Sequence, residues 1–333
     1  MDWPLDAPFA ERLLNEAQRG FPLVERPFAA LAEQLGTDET TVIASCRHLS
    51  ARGAISRVGG VWAPGVGGAA LLCAMAVPAE RLDSVAAQVS AHPGVNHNYE
   101  REHALNLWFV LTGNHRAQLE TVLHRLETDT GLPVVRLGMV RPYRIDLGFD
   151  LHRPPGAGSA LRQRPPRVTE ADRPLAALVE AGLPLNARPF ARWAQSLDDT
   201  TAGLLARIQG WLDAGTLRRF GLVVRHHEVG FGANAMTVFD LPDTLVDAAG
   251  ERLAAQPGVT LCYRRERASA WPYNLYCMVH GRSRPETLST LQRAIDGAGL
   301  DGWPRQVLFS RRRFKQTGAH YFRALPEEVA HGH

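Results

Sequence analysis

Lysine is almost missing from this chain. Of its 37 basic side chains in 333 residues, Lys315 is the one lysine and the other 36 are arginine. An arginine fork grips a carboxylate at two points, whereas an ammonium acts as a point charge. The skew fits a GC-rich coding bias or a carboxylate-rich ligand. Cysteine is scarce as well. Cys46, Cys73, Cys262 and Cys277 form no C-x-x-C pair and no C-x-x-C-H motif. That excludes the usual zinc ribbon and covalent haem attachment, and it fits a reducing, cytoplasmic compartment. No apolar run reaches 18 residues, so no transmembrane helix is expected. Met1-Asp2-Trp3-Pro4 lacks the basic and apolar regions of a secretory signal. An excess of one charge is also lacking. A net charge of +3 gives little general attraction to nucleic acid.

What is present is a chain long enough for two to four domains, built as a repeat. Pro22-Leu23-Val24-Glu25-Arg26-Pro27-Phe28-Ala29 matches Pro184-Leu185-Asn186-Ala187-Arg188-Pro189-Phe190-Ala191, at an offset of 162. The same offset carries Gly53, Arg57 and Gly59 onto Gly215, Arg219 and Gly221. It drifts to 164 at Tyr99/Tyr263 and to 168 at Asn106/Asn274, because Ala268-Ser269-Ala270-Trp271-Pro272 is inserted in the second copy. A tandem duplication of this kind should pack as an internal pseudo-dimer, and further self-association of the chain is compatible with it.

Each copy opens with helical periodicity, a glycine turn and a second capped helix. A short hairpin then follows, Ile55 to Trp62 in the first copy and Leu217 to Arg225 in the second. This reads as a winged helix-turn-helix. A β-α-β-β-α-β pattern follows, the ferredoxin-like sandwich. The expected fold class is α+β. The expected boundaries are a winged helix at 1–65, a sandwich at 66–152, a Pro-rich linker at 153–172, a second winged helix at 173–228 and a second sandwich at 229–325. A groove-reading helix needs basic or amide groups at its start. The copies offer Thr37-Asp38-Glu39 and Asp198-Asp199-Thr200 there instead, which argues against DNA.

The chemistry concentrates in two strand-loop-strand stretches. Gly94-Val95-Asn96-His97-Asn98-Tyr99-Glu100-Arg101-Glu102-His103 runs into Asn106-Leu107-Trp108-Phe109. Gly258-Val259-Thr260-Leu261-Cys262-Tyr263-Arg264-Arg265 runs into Tyr273-Asn274-Leu275-Tyr276. Alternation puts tyrosine and the arginine two residues later on one face. An aromatic and guanidinium wall suits a flat, anionic, conjugated ligand. His97 should face the same side as Tyr99, and a pocket histidine can act as a general acid near neutral pH. The second copy has Leu261 at that position but adds Arg225-His226-His227. Adjacent histidines on a strand point apart, so metal ligation by that pair is not expected.

With these strings assembled, the chain resembles the siroheme decarboxylases, a branch of the Lrp/AsnC-like proteins. The resemblance rests on His97-Asn98-Tyr99, Asn106-Leu107-Trp108-Phe109, Arg218-Arg219-Phe220-Gly221, Arg225-His226, Ala233-Asn234-Ala235-Met236, Cys262-Tyr263-Arg264-Arg265, Trp271-Pro272-Tyr273-Asn274-Leu275 and Ile145-Asp146-Leu147-Gly148-Phe149-Asp150. It spans Phe21 to Phe314 and looks like a fusion of two subunits that are separate in many relatives. It implies removal of carbon dioxide from the C12 and C18 acetates of siroheme, on the route to haem d1 or another haem. Siroheme is then the partner and brings its own iron, and no cofactor is required. In this reading His97 and His226 or His227 donate protons, with His226 favoured. Arg101, Arg219, Arg225, Arg264 and Arg265 orient carboxylates, and Tyr99 and Tyr263 line the ring. His103, Asn234 and His280 are secondary candidates. The working site is expected in the second sandwich, completed by residues of the first half. The alternative is an Lrp/AsnC-type ligand-sensing transcriptional regulator.

Overall fold

The computed structural model describes residues 7–18, 20–63, 65–145, 165–224, 233–269 and 271–322. They gather into two compact units. One holds the helix-turn-helix elements of both copies, and the other holds all the sandwich strands.

The first unit contains α1 (Ala7–Glu16), α2 (Pro27–Leu35), α3 (Glu39–Ala51) and β1 (Ile55–Trp62) from the first copy. In the first sandwich follow β2 (Ala69–Met75), α4 (Leu82–Ala91), β3 (Val95–Arg101), β4 (Leu107–Gly113), α5 (Arg116–Thr130) and β5 (Val135–Ile145). The second copy repeats the plan. Its α6 (Arg173–Ala181), α7 (Pro189–Ser196), α8 (Thr201–Asp213) and β6 (Leu217–Val224) complete the first unit. Its β7 (Ala233–Phe239), α9 (Val246–Ala254), β8 (Val259–Arg265), β9 (Leu275–Gly281), α10 (Arg284–Ala298) and β10 (Arg305–Gln316) complete the second.

The hairpin wing expected at Ile55 to Trp62 is one continuous strand. It pairs antiparallel with β6 of the other copy, with Ile55 opposite Val224, Gly59 opposite Gly221 and Trp62 opposite Leu217. Gly59 and Gly221 are equivalent in the repeat, so the pseudo-two-fold axis runs through that pair. Glycine is required there because helices lie against the strands. A Cβ on Gly59 would meet Val179 O of α6, and one on Gly221 would meet Ala17 O just after α1. Ala17 O accepts from Leu222 N–H (2.8 Å), and Val58 O accepts from Leu183 N–H (2.6 Å). Each copy's leading helix thus packs on the strand of the other. Of the expected linker, residues 165–172 are described, and there Val168 N–H donates to Val66 O (2.7 Å).

In the second unit, each copy's strands take the ferredoxin-like order, β5-β2-β4-β3 and β10-β7-β9-β8. Edge pairs β5–β8 and β10–β3 join them into one closed barrel of eight strands. Closure leaves no unpaired sheet edge. Helices α4 and α5 cover the outer face of the first sheet over Leu71, Cys73 and Phe109. Helices α9 and α10 cover the second over Phe239, Leu275 and Cys277. Fully burying side chains of this size contributes about 1.5–3 kcal/mol each.

The seams are locked in a matched way. The lone lysine, Lys315, donates from Nζ to Ser90 O (2.7 Å) and His92 O (2.9 Å) at the end of α4. Arg144 donates from Nη1 to Ala254 O (3.1 Å) at the end of α9. Both place a cation at a helix C-terminus, where the dipole favours it. None of the described helices is long and apolar enough to cross a membrane.

Candidate active site

The barrel lumen is where the two diverged stretches meet. A register irregularity after Val95 resets alternation on β3. Asn98 then turns outward, donating from Nδ2 to Ala86 O (3.1 Å) and Ser90 Oγ (3.0 Å) on α4. His97, Tyr99 and Arg101 consequently face the lumen. The same irregularity after Val259 directs Leu261, Tyr263 and Arg265 inward from β8. His97, Tyr99, Tyr263 and Arg265 retain accessible surface, yet desolvation is the largest influence on the titration of each. They therefore line an enclosed space rather than an open surface.

The two arginines are geometric equivalents. Arg101 donates from Nη1 to Leu308 O on β10 (3.0 Å) and to Asn234 Oδ1 on β7 (3.4 Å). Arg265 donates from Nη1 to Leu137 O on β5 (3.0 Å). Each reaches across a seam to the opposite copy. Arg101 lies 5.8 Å from the Tyr99 ring centre, and Arg265 lies 5.2 Å from that of Tyr263. Among the described residues, Nε of each has no hydrogen-bond partner. Among the described residues, no carboxylate pairs with either. Burial pulls the Arg101 pKa down to about 10 and lowers that of Arg265, so both remain cationic at neutral pH. Buried cations without a counterion are costly, and they mark sites that await an anion.

His97 sits beside them on β3. Its Nδ1 is 2.8 Å from Asn96 Oδ1, and its ring stacks on Tyr99 at 6.3 Å and 22°. Burial pulls its pKa down to about 4, so the imidazole is neutral at pH 7. The folded pKa lies below the unfolded value of about 6.5. The neutral-histidine contribution to stability is therefore complete above pH 6.5 and is lost as pH falls towards 4. The loss is at most about 1.4 kcal/mol per pH unit. Burial lowers the His103 pKa too, which adds the same sign. Denaturant unfolding at pH 7 and pH 5 should show this acid limb, and His97→Asn should shrink it.

Other expected site residues separate. Arg264 does not join the lumen, because alternation turns it outward to α9. It pairs there with Asp243 (3.3 Å) and Asp247 (3.4 Å), so its charge is already compensated. Arg219 lies in the helix-turn-helix unit, where its Nη1 donates to Gln18 O (3.0 Å) and Leu222 O (2.8 Å). Its place is structural, holding the end of α1 to β6. His103 accepts from Leu105 N–H at Nδ1 (2.9 Å) and meets Trp271 edge-on at 5.2 Å. Asn234 does join, as Arg101's partner. Arg225, His226 and His227 lie outside the described residues.

Two features escaped the sequence reading. Ser310 on β10 donates to Asn234 Oδ1 (2.7 Å), which alternation along β10 could have suggested. Trp271, carried by the insertion of the second copy, is 1% exposed and fills the barrel interior. It packs edge-on against Trp108 (5.1 Å) and Tyr273 (4.8 Å), and its Nε1 donates to Tyr276 OH (2.7 Å). Nothing in a five-residue insertion signals that its one large side chain plugs a barrel.

Comparisons with known proteins agree with this architecture. The chain matches an AsnC-like ligand binding domain at residues 66–143 and 228–315. It also matches the siroheme decarboxylase NirDL-like HTH domain at residues 10–55. The siroheme decarboxylase NirDL subunit of Paracoccus denitrificans is 43% identical over 317 residues, covering 92% of this chain and 95% of that protein. The siroheme decarboxylase NirL subunit of Stutzerimonas stutzeri is 47% identical over 153 residues, covering 46% of this chain and 90% of its own length, as expected for half of a fusion. The crystal structure of the siroheme decarboxylase NirDL in complex with an iron-uroporphyrin III analogue superimposes with a TM-score of 0.66 at 27% identity, covering 95% of this chain and 94% of that one. With this full-length similarity and a shared duplicated plan, the chain belongs to the siroheme decarboxylase family in its fused, two-half form.

Proposed function

We infer that this chain decarboxylates siroheme, taking carbon dioxide from the C12 and C18 acetates to give didecarboxysiroheme. The observation that carries the reading is the pair of lumen arginines, Arg101 buried and Arg265 half-buried, with no acid partner among the described residues. A flat macrocycle rimmed with carboxylates supplies both the missing anions and a face for Tyr99 and Tyr263.

In each event the bond between the side-chain methylene and its carboxylate breaks. Carbon dioxide leaves, the electron pair delocalises into the conjugated ring, and one proton is added to form a methyl group. The macrocycle is the electron sink, so the reading calls for no separate cofactor, and the iron arrives with the substrate. Arg101, held by Leu308 O and Asn234, orients a carboxylate. His97 is neutral in the free protein, and substrate carboxylates beside it would raise its pKa and so recruit the proton it delivers. The four buried, unpaired cysteines fit a reducing cytoplasm.

The regulator reading is less well supported. At the start of α3, Asp38 Oδ1 accepts from Thr41 N–H (2.9 Å) and Glu39 is paired with Arg26 (2.5 Å). Acids occupy the position where groove reading needs donors. The test is anaerobic incubation of the purified chain with siroheme, followed by the mass of the recovered tetrapyrrole. Loss of two carbon dioxide units is expected, and unchanged siroheme would overturn the reading.

A further inference from the structure

Past β10 the chain does not leave the barrel. Thr317-Gly318-Ala319-His320-Tyr321-Phe322 turns back across one of its ends. Around the barrel the strands run β10, β3, β4, β2, β5, β8. Gln316, the last residue of β10, stands opposite His97 near the start of β3. Thr317 N–H then donates to Asn96 O on β3 (2.7 Å). His320 N–H donates to Thr112 Oγ1 on β4 (3.2 Å), and that hydroxyl gives its own proton to Gly94 O (3.1 Å). Tyr321 reaches the start of β2, where a Cβ on Gly68 would meet its Cδ1 at 3.1 Å. The segment thus crosses β3 and β4 and ends at β2.

Thr112 marks the side on which it crosses. Leu107, Phe109 and Leu111 of β4 lie in the core under α4 and α5, while Trp108 lies in the barrel interior. Alternation puts Thr112 on the interior side with Trp108. The segment therefore runs over the lumen and not over the helices. Arg265 belongs to the same end of the barrel. It stands opposite Met139 on β5, next to Gly138, which pairs with Leu71 near the start of β2. Tyr321 is half-buried and close enough to influence the charge of both Tyr263 and Arg265. Phe322 is buried at the end of the segment, and its ring meets that of Tyr321 edge-on at 6.4 Å.

We propose that residues 317–322 form a strap closing the Arg265 end of the lumen, and that Tyr321 is a substrate-binding residue whose ring covers the edge of the macrocycle anchored by Arg265. This rests on the siroheme reading. A tyrosine suits the place, because its ring packs on a conjugated edge while its hydroxyl tolerates a rim of carboxylates. Backbone N–H groups hold the strap to β3 and β4, so it lifts to admit a broad macrocycle and reseats over it. Such a contact forms with substrate and transition state alike. It sets affinity rather than the rate of the bond-breaking step.

The test uses the full chain with siroheme as the probe. Tyr321→Ala should weaken binding about tenfold, the order expected for burying an aromatic ring against a ligand. It should raise KM while leaving kcat within about twofold of wild type. Tyr321→Phe keeps the ring and should bind within about threefold of wild type. In the wild-type chain, hydrogen exchange of the strap amides should slow when siroheme is added. That readout needs neither turnover nor a variant, and it decides the matter if Tyr321→Ala does not fold. Wild-type affinity in folded Tyr321→Ala overturns the proposal, as does a loss in Tyr321→Phe equal to that in Tyr321→Ala. Strap amides whose exchange siroheme leaves unchanged overturn it too. Strap protection by siroheme that the wild-type chain fails to decarboxylate supports the strap and overturns the function reading instead.

Discussion

Replacing Arg101 with glutamine should lower kcat/KM for siroheme by about 30-fold to several thousand-fold, because truncating one partner of a buried charge pair costs about 2–5 kcal/mol. The same change should leave the folded chain as stable as before or more stable, by up to about 2 kcal/mol. The two effects have one origin. Arg101 is 7% exposed and has no carboxylate partner among the described residues, and burial pulls its pKa down to about 10. Without substrate its charge is an uncompensated cost to the fold, and with substrate it is a counterion. Glutamine can still donate towards Leu308 O or Asn234 but carries no charge. Steady-state kinetics with parallel denaturant unfolding separates this account from a structural one. A structural arginine would lose stability and activity together.

Replacing Trp271 with alanine should destabilise the barrel by about 3–5 kcal/mol. Trp271 is 1% exposed and packs against Trp108, Tyr273 and His103. Its Nε1 donates to Tyr276 OH, so alanine leaves that hydroxyl without its donor as well as opening a large void. Its cluster otherwise comprises Ala74, Trp108, Leu137, Met236, Val238, Tyr276 and Leu308. The midpoint of denaturant unfolding should fall accordingly. Phenylalanine should recover part of the loss by filling volume without restoring the hydrogen bond.

Much of the fold was legible because it rests on local signals. Helix periodicity, the prolines at the starts of α2 and α7 and the repeat offset gave both copies, and the β-α-β-β-α-β order gave both sheets. Pairing between copies was not legible. Ile55–Trp62 reads as a wing hairpin because Gly59-Gly60 looks like a turn, whereas those glycines let α6 pack on a strand paired with its own repeat. Barrel closure was likewise hidden, since edge pairing between β5 and β8 or β10 and β3 leaves no short-range mark.

The site was legible in residue type more than in direction. Tyr99, Arg101, Tyr263, Arg265, His97 and Asn234 converge on the lumen, and simple alternation explains it. Arg264 next door failed the same rule, since neighbours on a strand face opposite ways, and Asp243 and Asp247 take its charge. Arg219 failed because a matching string cannot reveal that a side chain is spent on the carbonyls of Gln18 and Leu222.

Arg101 and Arg265, which have no carboxylate partner among the described residues, would take their counterions from the substrate. An absorbance titration of the Arg101→Gln/Arg265→Gln double variant with siroheme, alongside wild type at the same ionic strength, tests this most directly. The account predicts a folded double variant whose affinity falls by about a thousandfold or more, from two lost charge pairs of about 2–5 kcal/mol each. An affinity equal to that of wild type would contradict it.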